Sequence, residues 1–134
     1  MSGNVTDNMA GFYAGTQPVA ALTGTAAAAG ANGSDQTNRR GHGLLVVVDI
    51  TALTGTAPTL TVTIQGKDTA SGKYFTILAS AALAAVATTV LRVYPGLTAA
   101  ANLVASDVLP YTWRVISVIG GTTPAVTYLS LIHI

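Results

Sequence analysis

The stretch "TLTVTIQG" at 59–66 decides how this chain is read. Leu60, Val62 and Ile64 fall on one face, and Thr59, Thr61, Thr63 and Gln65 on the other. That period of two is the mark of a β-strand with one buried and one wetted face. Working outward, "LLVVVDI" (44–50) is an apolar run ending near Asp49, and "YFTILA" (74–79), "TTVLRVY" (88–94), "YTWRVISVI" (111–119) and "AVTYLSLIHI" (125–134) are rich in β-branched and aromatic residues. Between them lie turn-like connections: "KDTASGK" (67–73), "YPGL" (94–97) and "GGTTP" (120–124). Six short strands at regular spacing predict an all-β fold, an antiparallel β-sandwich or jelly-roll-like domain over 44–134. The segment "TAAANLVASDVLP" (98–110) is the exception: Ala-rich, with Thr98 as a cap, it is expected to hold one or two helical turns before Pro110.

Several strands are apolar on both faces. Leu44, Val46, Val48 and Ile50 form one face of the first, yet Leu45 and Val47 form the other; in the last, Leu129 and Leu131 oppose Val126, Tyr128 and Ile132. A sheet whose outer face meets water would resemble 59–66 instead. The pattern predicts a second buried interface, in a homo-oligomer or on a larger surface.

Residues 1–43 read differently. This Gly-, Ala- and Thr-rich stretch holds few large apolar side chains, among them Val5, Met9, Phe12, Tyr13, Val19 and Leu22. Alone it buries too little to offset the entropy of ordering its backbone, so it is expected as an extended arm that orders on assembly, with one short strand near 18–23. Phe12, Tyr13, Val19, Leu22 and the basic pair Arg39–Arg40 are its candidate partner-binding residues. The hexapeptide "ALTGTA" occurs in the arm at 21–26 and again at 52–57. The second copy, with Gly55 and Pro58, is expected as a hairpin connection; in the first, Leu22 anchors an extended piece that Gly24 ends.

Composition narrows the function. Of 134 residues only 8% are charged, against about 25% in an average soluble domain. The net charge is +1, which gives no electrostatic case for nucleic acid or anionic membrane as a partner. Cysteine is absent, removing disulfides, thiolate chemistry and Cys-type zinc sites together. The N-terminus lacks the basic and apolar regions of a secretory signal. The uncharged run 75–91 sits at the lower limit for a membrane helix, but more than half of it is Ala, Ser or Thr, and two strands with a small-residue connection fit it better.

Chemistry is sought in vain. Asp7, Asp35, Asp49, Asp68 and Asp107 are scattered, and His42 and His133 stand in unrelated contexts. Neither a carboxylate pair nor a metal set follows from that spacing. No G-x-S-x-G elbow, P-loop or dinucleotide fingerprint is present, and no cofactor is expected. Trp113 alternates with Arg114 on one strand and is expected as the main core aromatic. The expectation is a protein that is not an enzyme.

The segments "LTVTIQGKDTASGKYFTILASAAL", "TTVLRVYPGLTAAAN" and "DVLPYTWRVISV" carry a resemblance. In that order they resemble small head-associated virion proteins of tailed bacteriophages, particularly those infecting actinobacteria. The likeness spans roughly 43–131, and the N-terminal arm is not part of it. It implies a capsid decoration or cement protein on the outer surface of the head, assembled in the host cytoplasm, bridging subunits of the major capsid protein, with a trimer favoured. A tail or head–tail joint protein, or a carbohydrate-binding sandwich on the virion surface using Tyr74, Tyr94, Tyr111 or Tyr128, are the alternatives.

Overall fold

The structure, a computed structural model, describes residues 18–38 and 43–133; of residues 18–23, 26, 131 and 133 it describes the backbone alone. These residues form seven strands and no helix: β1 (Pro18–Ala27), β2 (Gln36–Thr37), β3 (Leu44–Asp68), β4 (Lys73–Ala79), β5 (Thr88–Val93), β6 (Val104–Ala105) and β7 (Thr112–His133). The all-β expectation holds.

β3 and β7 dominate. They run antiparallel from Leu45↔His133 to Gly66↔Trp113. Here the structure corrects the sequence reading. "ALTGTA" at 52–57 is not a hairpin connection and "GGTTP" is not a chain reversal, because both lie inside these long strands and face each other. The register shifts between Ile50 and Ala52, Thr54 and Thr56, and Thr56 and Thr59, marking bulges that bend a strand without ending it. Gly55 (φ 113°) and Gly121 (φ 111°) occupy conformations that L side chains rarely adopt, and each would press a Cβ against the other strand: Gly55 at 2.5 Å from the Thr123 carbonyl oxygen, Gly121 at 2.6 Å from that of Ala57. Turn chemistry is used to bend a two-stranded ribbon. Alternation and glycine content alone do not separate that from a hairpin.

The bend divides each long strand, and the pairing then follows a nested order. Residues 18–27 pair with the end of β7, and 31–37 run beside its beginning, through Asn32↔Ile116 and Gln36↔Trp113. β5 pairs with the first half of β3 and β4 with the second. Between β4 and β5, Leu83 bridges Leu60 with reciprocal backbone bonds of 2.8 and 2.9 Å. Numbering the eight segments in chain order, first pairs with eighth, second with seventh, third with sixth and fourth with fifth. The two layers read 1-8-3-6 and 2-7-4-5. This is the winding of a jelly roll, one long hairpin wrapped into a sandwich. Parallel pairing of β6 with β5 makes the sheet mixed at that edge.

The layers close on one core. Leu44, Val46, Val48 and Ile50 from the first half of β3 join Leu60, Val62 and Ile64 from the second, with Leu91, Val93, Trp113, Val115, Val126, Tyr128 and Ile132. Trp113 is fully buried, as its alternation with Arg114 predicts. Inside the sandwich, the Ser117 and Tyr128 hydroxyls lie 2.8 Å apart, one from each layer.

The short strand expected near 18–23 is present and longer than expected. From Pro18 onward the chain is not free of the domain: β1 extends to Ala27, past Gly24, and 31–38 continue along β7. Ala31 N–H donates to Ser117 Oγ (2.9 Å), and Asn38 Nδ2 to the Leu109 carbonyl (3.0 Å). Yet among the described residues every core member lies at or after Leu44. Residues 18–38 thus form an edge ribbon of the same sandwich, with Ala27 and Ala31 packed against the core. The helical turns expected within 98–110 are absent as well. Ala100 and Val104 instead close a tight turn with reciprocal backbone bonds of 2.9 and 3.1 Å, and Asn102 takes φ 62° at its tip. Asn tolerates that left-handed conformation, which a helix interior does not use.

Candidate interaction surface

The candidate partner-binding residues divide. Phe12, Tyr13, Arg39 and Arg40 lie outside the described residues, as do Asp7 and His42. Val19 and Leu22 lie in β1, where Leu22 pairs with Ser130 and Val19 sits in a register shift between Pro18 and Ala20; only their backbone is described. His133 is in register with Leu45 and Pro18.

The carboxylates serve local structure. Asp68 accepts from Ala70 N–H (3.1 Å) and the Ser71 hydroxyl (2.9 Å), shaping the turn between β3 and β4. Asp107 accepts from Val108 N–H at 2.8 Å. Asp49 accepts from the Thr88 hydroxyl at 3.1 Å, across the β3–β5 pair. Among the described residues no group of three His, Asp or Glu is placed to hold a metal ion, and no helix is long and apolar enough to cross a membrane.

Asp35 has the richest surroundings. Its carboxylate receives the Tyr74 hydroxyl at 2.7 Å and pairs with Lys67 Nζ at 2.9 Å. The Arg114 guanidinium stacks on the Tyr74 ring, 3.6 Å from its centroid, while Arg114 Nε donates to Gln65 Oε1 at 2.9 Å. The Tyr74 hydrogen bond, then Lys67, hold the Asp35 carboxyl below its ordinary value of 3.8, and Asp35 in turn raises Lys67 above 10.5. This band crosses the outer face of the second layer and draws on all four of its ribbons: Asp35 from the second segment, Gln65 and Lys67 from the fourth, Tyr74 from the fifth and Arg114 from the seventh. Sequence reasoning missed it, because Asp35 is separated from Lys67 by 32 positions and only the nested pairing brings them together.

The outer face of the first layer is different. Opposite the buried Leu44, Val46, Val48 and Ile50 lie Leu45 and Val47, half-buried, flanked in register by Val90 on β5. Leu129 on β7 is 44% exposed and pairs with Asp49. This apolar centre has a charge at either end: Arg92, exposed and in register with Leu45, and Asp49, in register with Thr88. The two-faced pattern of the first strand is thus real. One set of side chains builds the core and the other builds an apolar outer face.

Two further surfaces complete the picture. The connection 94–111 exposes Tyr94, Leu97, Leu103, Val108 and Tyr111, the last 67% exposed. Stretches 24–34, 50–66, 74–91 and 115–132, which include the bent end, contain no charged side chain, and all described charges lie toward the opposite, open end, Asp49 furthest in. Withdrawing the described residues of the bent end from water desolvates no ion.

No family pattern and no curated protein matches this chain. Among solved structures, it has a weak similarity to a chain in "Structure of infectious bursal disease virus Gt strain", at 14% identity and a TM-score of 0.30, over 87% of this chain. This chain spans 33% of that one. The jelly-roll architecture rests on the strand register, not on that likeness.

Proposed function

We propose that this protein is a structural component of a virion: a decoration or cement protein on the outer surface of a tailed-phage head. In this reading it binds the major capsid protein and bridges neighbouring subunits as a homo-oligomer, a trimer favoured, and it performs no catalysis. The observation that carries the reading is the apolar outer face of Leu45, Val47, Val90 and Leu129 on a sandwich that already has a complete core. A free monomer has no use for a second apolar face, whereas a repeated assembly covers it. The jelly-roll winding is compatible with capsid proteins but also with lectins, so fold alone decides nothing. Purified heads should contain the protein at a fixed ratio to the major capsid protein. Heads lacking it should lose integrity at lower temperature. Heads equally robust with and without it would remove the cementing role.

A second reading has an observation of its own. Tyr94 and Tyr111, 47% and 67% exposed at the two ends of the 94–111 connection, are the kind of aromatic surface on which a sugar ring stacks. The other two candidates are less available: Tyr128 is buried in the core and Tyr74 is held under Arg114. A glycan array without a hit would eliminate this carbohydrate-binding reading.

A further inference from the structure

We infer that the apolar outer face of the first layer is a self-complementary contact between two copies of this chain, with Arg92 of each meeting Asp49 of the other. The inference shares with the virion reading only the view that this face is covered in an assembly, and it names what covers it.

The arrangement of charge selects the occupant. In register across β5 and β3 stand three successive outward rows: Arg92 with Leu45, Val90 with Val47, and Thr88 with Asp49. β7 continues the third row with Leu129. The basic residue ends the apolar patch on one side and the acidic residue ends it on the other. They are separated by about 13 Å along the strands, four residues at roughly 3.3 Å each. Among the described residues neither has an ion-pair partner, the Asp35–Lys67 pair being the salt bridge there. A two-fold axis lying in the interface, passing over Val47 and Val90 and running nearly across the strands, exchanges the two ends. It places Arg92 over the partner copy's acidic end and Asp49 over its basic end, while the aliphatic centres stack.

Such an isologous contact uses one patch twice, the commonest symmetry of soluble oligomers. Two layers packed in this way keep their strands roughly aligned, as in stacked sheets. A partner of another kind would have no reason to match a charge pair with this internal antisymmetry. A two-fold contact does not close a trimer; in an array of trimers it joins one to the next.

The test uses the full chain alone, without heads, so that its failure is distinct from failure of the virion reading. Association is measured by sedimentation equilibrium for the wild type, Arg92→Asp, Asp49→Arg and the double exchange, with circular dichroism to confirm folding. The wild type should form an even-numbered species. Each single reversal should weaken association about tenfold or more by placing like charges together, and the double exchange should restore it. Since Asp49 also accepts from Thr88, Leu129→Lys provides a second variant at an exposed position; it should abolish association and leave the fold intact. A monomeric wild type, or a double exchange as weak as its parents, would overturn the inference. So would a dimer that appears only when residues 1–17 are deleted, since the chain's own N-terminal segment would then be the occupant.

Discussion

At the scale of single residues, the bend is the most demanding feature. Gly55 and Gly121 face each other's strands with almost no room, each at a positive φ. Gly55→Ala or Gly121→Ala should destabilise the protein by about 2 kcal/mol or more, since a left-handed L residue alone costs roughly 1–2 kcal/mol and the added methyl meets backbone that is slow to move. Chemical denaturation measures this directly, and a variant as stable as wild type would show that the bend is not fixed by these glycines. Two buried serines should respond in opposite directions. Ser117 bonds Tyr128 and accepts from Ala31 N–H, so Ser117→Ala should cost about 1–2 kcal/mol. Ser130 is fully buried, and its hydroxyl has no hydrogen-bond partner among the described residues. Ser130→Ala should therefore be neutral or stabilising by about 1 kcal/mol, because it removes a polar group whose desolvation is uncompensated. Burial at this scale was legible where alternation was strict, as at Val62 or Trp113. The glycines were legible as turn formers, but what they turn depends on which strand lies opposite.

At the scale of elements, the edge ribbon 18–38 is held by backbone pairing to β7, by the Asp35 band and by Ala27 and Ala31 packed against the core. A chain lacking residues 1–38 should keep its β signature in circular dichroism while melting at lower temperature and self-associating through the uncovered β7 edge. Loss of all cooperative unfolding would show instead that the ribbon belongs to the folding core. The Asp35 contribution has a defined pH dependence. Its carboxyl is depressed in the folded state, so its stabilisation is complete above the ordinary value of 3.8 and is lost as pH falls through the folded value. Lys67 is raised, so its share is complete below 10.5 and is lost as pH rises through the folded value. The difference in melting temperature between wild type and Asp35→Asn should therefore be flat from about pH 5 to 9 and shrink as pH falls below 3.8 and through the folded value; being exposed, it should be small throughout. A difference that persists undiminished in strong acid would contradict the band as the cause. The two copies of "ALTGTA" show why elements were only partly legible. One lies in the edge strand, with Gly24 beneath the Tyr128 ring, and the other forms a bend in a central strand. Identical local chemistry is put to two uses, each set by its neighbours.

At the scale of the whole molecule, alternation and spacing were enough to indicate an all-β sandwich, because period two depends only on which face is buried. The nested winding and the inclusion of 18–38 were not legible, since both depend on pairings between residues about a hundred positions apart, such as Pro18 with His133. The two-faced apolar pattern was legible and is seen as an outer face carrying Leu45, Val47, Val90 and Leu129, on a sandwich whose described charges gather toward one end. That distribution suits a molecule packed among copies and against a larger surface. The most direct test of the account is to add purified protein to heads that lack it and to count and locate the bound copies by electron microscopy. The account predicts saturable decoration at regular positions over the whole shell, together with a rise in the temperature at which the heads open. Absence of binding, or a single ring of copies confined to the portal axis, would contradict it.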